Sequence, residues 1–105
     1  MTKPFPSSYP AYFKKYVDQV PEADLLTAFS TQLPVIKELL SQVSEDQSMF
    51  AYDSGKWTIK ELLQHMTDTE RIFNYRALCI ARKEKASLPG FDENTYAENS
   101  NAAER

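Results

Sequence analysis

Two long stretches of the chain repeat apolar residues at alternating three- and four-residue steps, the period of one face of an α-helix. In the first, Leu26, Phe29, Leu33, Ile36, Leu40 and Val43 form a single stripe. Pro21 and Glu22 suit the opening turn, through a preset φ and through negative charge at the positive end of the helix dipole. Polar residues take over at 44–48, so the pattern predicts a helix over 21–47. Pro34 lies inside it and removes one main-chain hydrogen bond, which predicts a kink, because the stripe continues beyond. In the second stretch, Ile59, Leu62, Met66, Thr69, Phe73, Ala77 and Ile80 predict a helix over 58–86. Its start is marked by Thr58-Ile59-Lys60-Glu61, a capping box in which hydroxyl and carboxylate each accept from the other residue's amide. Trp57, just before the cap, is placed to pack on Leu62 as a hydrophobic staple.

The remaining segments read as connections. Residues 49–56 join the two helices, with Asp53-Ser54-Gly55 as the turn. Leu88-Pro-Gly-Phe91 breaks the second helix, 92–99 reads as polar loop, and Asn99 or Ser100 is positioned to cap a third helix beginning at 101–105. Residues 1–20 form an N-terminal arm with a short helix over 11–19, and its aromatic residues Tyr9, Tyr12, Phe13 and Tyr16 are suited to covering one end of a core. A helix start with nothing after it reads as the N-terminal part of a longer helical domain or, alternatively, as a frayed tail.

Composition narrows the class. The 105 residues suffice for one small domain, 1–105, and only two of them are glycine, which favours an all-α fold over a chain of tight β-turns. The net charge of −3 provides no electrostatic footprint for nucleic acid. The late cluster Arg71, Arg76, Arg82, Lys83 and Lys85 reads as a solvated face that complements the helix C-terminal dipole, with a basic patch for an anionic ligand as the alternative. Cys79 is the sole cysteine, so no internal disulfide forms, which fits a reducing compartment, and a small-residue packing role is expected of it. No stretch approaches the roughly 20 apolar residues of a membrane span, and the opening MTKPFPSSYP lacks the apolar core of a signal peptide. A cytoplasmic protein without membrane or nucleic-acid partners is expected.

His65 is the only histidine. At about 100° per residue it lies about 60° from Leu62, on the flank of the apolar stripe beside Thr69, Ile72 and Arg76. Flanks border the seams between packed helices, where bundles build metal sites. Glu61 and Asp68, four residues before and three after, are spaced to orient the imidazole as a metal-bound histidine requires. The same spacing suits an ordinary helix-flank histidine, and one imidazole cannot supply the three or four protein ligands of a zinc site.

The run Tyr52-Asp-Ser-Gly-Lys-Trp-Thr-Ile-Lys-Glu-Leu-Leu-Gln-His65, followed by Asp68-Thr-Glu-Arg71, resembles the DinB-like family of metal-dependent enzymes. So do the later Leu88-Pro-Gly-Phe-Asp-Glu-Asn-Thr-Tyr-Ala97 and the upstream Tyr12-Phe-Lys-Lys-Tyr-Val-Asp-Gln-Val-Pro-Glu-Ala-Asp24. The resemblance implies an up-down-up-down four-helix bundle holding a divalent metal, zinc or nickel, on three histidines. The first matches His65; the other two belong to an H-x-x-x-H on a fourth helix that has no counterpart here. It further implies a metal-dependent hydrolase or a thiol S-transferase acting with a small-molecule thiol or electrophile. Two amphipathic helices make only the N-terminal half of such a bundle, so pairing of two chains into a homodimer is expected to complete it. The alternative is a non-catalytic helical module whose function is self-association.

Overall fold

The computed structural model describes all 105 residues and is all-helical, with no strand and one isolated bridge between Thr2 and Asp24. It comprises two compact units, 1–43 and 44–105. No helix is long and apolar enough to cross a membrane.

The first unit carries 3-10 turns at Pro6–Ser8 and Ala11–Phe13, a single-turn helix α1 at Lys14–Val17, and the long helix α2 at Leu25–Ser41. The first three residues clip onto the entry of α2. Lys3 N donates to the Ala23 carbonyl at 2.8 Å, Leu25 N donates to the Met1 carbonyl at 2.9 Å, and the Met1 ammonium sits 2.8 Å from Asp24 Oδ1. Helix α2 begins four residues after the expected Pro21, because Asp24 supplies the cap. Its backbone is extended and its carboxylate accepts from Thr27 N at 3.0 Å, satisfying one of the free amides of the first turn. The Met1 ammonium, then the Thr27 amide, hold the Asp24 carboxyl below the usual carboxylate range. Helix α2 runs through Pro34, which has no amide to give the Ser30 carbonyl.

Within this unit the apolar stripe of α2 finds little cover. Ala28 is the helix's one buried residue, whereas Leu26 is 69 % exposed, Phe29 63 % and Leu33 54 %. Seventeen residues of α2 include just two charges, Lys37 and Glu38. A helix of that composition is suited to burial rather than to water.

The second unit opens with a short helix α3, Glu45–Ser48. The expected 21–47 helix is therefore two helices. The break is a second capping box: Gln47 N donates to Ser44 Oγ at 3.2 Å, and Ser44 N donates to Gln47 Oε1 at 2.9 Å. Helix α4 occupies Ile59–Ala81, and α5 occupies Glu93–Glu98 in the segment expected to be loop. Asp92 starts α5 by accepting from Thr95 N at 2.8 Å. A 3-10 turn at Ala102–Glu104 stands where a third helix was expected to begin.

Three elements pack on α4 in this unit: α3, α5 and the last turn. Ala97 and Ala102 are the buried small residues of the last two, 6 % and 5 % exposed, and let backbone approach α4 closely. Lys60 ties the elements together, pairing with Glu45 and donating to the Arg105 carbonyl at 2.7 Å. Helix α4 ends at Ala81 rather than at 86 because the chain turns left-handed at Lys83, with φ at 59°. Lys83 N then reaches the Ile80 carbonyl at 3.0 Å, and Glu84 N reaches Cys79 at 2.9 Å. This is a Schellman termination with lysine at the position that glycine usually fills.

Candidate functional site

The capped start of α4 leads directly to His65. Thr58 Oγ1 accepts from Glu61 N at 3.2 Å, and Glu61 Oε2 accepts from Thr58 N at 2.7 Å, so the expected capping box is present in full. The cap fixes the direction in which Trp57 enters the helix. Instead of serving only as a staple for Leu62, the Trp57 ring lies against the His65 imidazole, with centroids 4.8 Å apart and planes at 46°. Trp57 and Leu62 do share a wall of a recess of about 540 Å³, which Phe50, Tyr52, Lys56 and Asn94 help to line.

His65 is half-buried. Its Nε2 lies 3.5 Å from Thr69 Oγ1, at the outer limit of a hydrogen bond, and Nδ1 has no hydrogen-bond partner in the chain. Neither neighbouring acid orients the ring. Glu61 is occupied by the cap, and Asp68 Oδ1 accepts from Gln64 Nε2 at 2.9 Å and from Arg71 Nη1 at 3.3 Å. The carboxylate–histidine arrangement that the spacing permits is thus replaced by an aromatic contact, with the acids used for helix stability.

A metal requires more donors than this. No three His, Cys, Asp or Glu side chains gather anywhere in the chain so as to hold an ion. The residues present therefore do not by themselves fit a zinc or nickel site with three protein ligands. Cys79 is free and half-buried. Its neighbour is Tyr75, whose phenol it pushes above the ordinary tyrosine range.

A second recess, of about 300 Å³, lies further along α4, where the loop at 88–91 returns to it. Arg76 is half-buried there and donates from Nη2 to the Pro89 carbonyl at 2.8 Å. Arg71, Arg82, Lys83 and Lys85 are exposed, as a solvated face requires, with Arg71 paired to Asp68, whereas Arg76 departs from that reading as part of a wall. The sequence signal was the breaker Leu88-Pro-Gly-Phe91, whose return places a carbonyl thirteen residues beyond Arg76. Phe91 and Tyr96 form the opposite wall, with ring centroids 5.1 Å apart and planes at 49°.

No curated protein and no solved structure matches the chain. The family model of the DinB superfamily matches residues 10–105, which include the capped start of α4, His65 and the loop that returns to Arg76, and the protein belongs to that superfamily.

Proposed function

We propose that the protein acts as a metal-dependent hydrolase or thiol S-transferase on a small-molecule thiol or electrophile, in the cytoplasm and as a homodimer. His65 serves as one ligand of a divalent zinc or nickel ion. The observation that carries this reading is the state of the imidazole. It is half-buried, set by the Trp57 ring, and presents a nitrogen that no group of the chain engages. An imidazole with an unengaged ring nitrogen is a ready metal ligand. Because one chain does not assemble three donors, the other ligands come from outside these residues. A four-helix bundle completed by a second copy places its seams beside helix flanks such as the one bearing His65.

The second reading, a helical module whose function is self-association without catalysis, is favoured by the uncovered stripe of α2. Metal analysis by mass spectrometry separates the two. Protein purified after exposure to zinc or nickel should hold the ion near stoichiometrically, and His65→Ala should lose it while keeping helicity and oligomeric state. Metal retained by His65→Ala would remove His65 from the ligand set. A wild-type protein that takes up neither ion would leave self-association as the function.

A further inference from the structure

We propose that the recess between α4 and the 88–91 loop binds a small organic carboxylate with an aromatic body, and that Arg76 is its anion receptor. This site is independent of the metal reading, since His65 does not line it. The argument starts from charge. The four ion pairs of the chain are Met1–Asp24, Lys14–Asp18, Lys60–Glu45 and Arg71–Asp68, so no acid neutralises Arg76. No carboxylate lines the recess either. A half-buried guanidinium beside Ile72, Leu88 and Phe91, with Arg71 as its only charged neighbour in the lining, gains from a counter-charge, and an anion entering the recess supplies one.

Geometry specifies the anion. One N–H of Arg76 is taken by the Pro89 carbonyl. A guanidinium carries five donors in a planar fork, so the rest remain for a bidentate carboxylate. Phe91 and Tyr96, on either side of the Asp92 cap of α5, offer ring surfaces to an aromatic body. A volume of about 300 Å³ takes one ring with a short side chain and excludes a folded peptide or a dinucleotide. Arg71 at the rim is partly neutralised by Asp68 at 3.3 Å, which leaves Arg76 as the receptor.

A purely structural Arg76 that tethers the loop predicts something different, and calorimetry on the full chain distinguishes the two. The probes are 3-phenylpropionate, its neutral amide and inorganic phosphate. The acid should bind at least about tenfold tighter than the amide, as expected for a charge-assisted pair, and tighter than phosphate. Backbone amide shifts should centre on Gly90 and Phe91. Arg76→Gln, which keeps a donor for Pro89, should lose the preference for the acid with its melting temperature nearly unchanged. Equal affinity for acid and amide in the wild type would overturn the proposal, and this comparison stands even where the variant misfolds. So would phosphate binding as tightly as the acid, shifts centred elsewhere, or an undiminished affinity of Arg76→Gln for the acid.

Discussion

Truncating Phe29 is the sharpest test of pairing through α2. Fully burying a phenylalanine side chain is worth about 1.5–3 kcal/mol. In its own unit Phe29 remains 63 % exposed, so nearly two-thirds of that gain, roughly 1–2 kcal/mol, is left for an interface. In a twofold-symmetric dimer each substitution counts twice, and Phe29→Ala should weaken association by roughly 2–4 kcal/mol. At 1.4 kcal/mol per decade this is a dissociation constant raised about 30- to 700-fold. Sedimentation velocity across a micromolar concentration series measures it. Circular dichroism should change little, because an exposed side chain contributes little to the isolated unit. Glu38→Ala is the control: nine residues on, it sits about 180° around the helix and should leave the dimer intact. A wild-type protein that stays monomeric through the series, or a Phe29→Ala dimer as tight as the wild type, would refute the reasoning.

The helix stop gives a prediction of opposite sign: Lys83→Gly should stabilise the second unit by about 0.5–1 kcal/mol, read as an upward shift in the urea midpoint, since glycine takes the left-handed conformation at φ 59° without a Cβ clash. Two carboxylates predict acid sensitivity. Asp92, through the Thr95 amide, and Glu84, through the amides of Ala86 and Lys85, are held below their ordinary pKa values on folding. They bind fewer protons folded than unfolded, so their contribution is full above the usual carboxylate range and is lost as pH falls through the lowered values. Urea midpoints measured from neutral to acid pH should decline, with a shallower slope in Asp92→Asn and Glu84→Gln.

Much of this fold could be read wherever four adjacent residues carry their own hydrogen-bond chemistry. The start of α4 follows from Thr58 and Glu61 alone, and the same logic applied to Ser44-Glu45-Asp46-Gln47 would have cut the long 21–47 helix where the structure cuts it. Asp24 and Asp92 were likewise available as caps, but Pro21 was the louder signal for the first, and the second begins a helix of six polar-rich residues with no room for a stripe. The end of α4 was hidden for another reason: its stop uses a lysine in a glycine conformation, so no residue type announces it. Site chemistry was legible only to the level of the flank. Periodicity places His65 and Arg76 on one side of α4, yet it does not say what returns to meet that side. Glu61 is within reach of His65 by spacing, but a carboxylate committed to the cap amide is no longer free to orient an imidazole, and the Trp57 ring lies against it instead. Arg76 looks like surface charge until the Pro89 carbonyl closes over it. A flank becomes a site when a loop covers it: the segment before the cap did this for His65, and the segment after the helix did it for Arg76. Aromatic rings thus meet one helix at two places, and removing Trp57 or the Phe91–Tyr96 wall should disturb its own imidazole or guanidinium and leave the other unchanged.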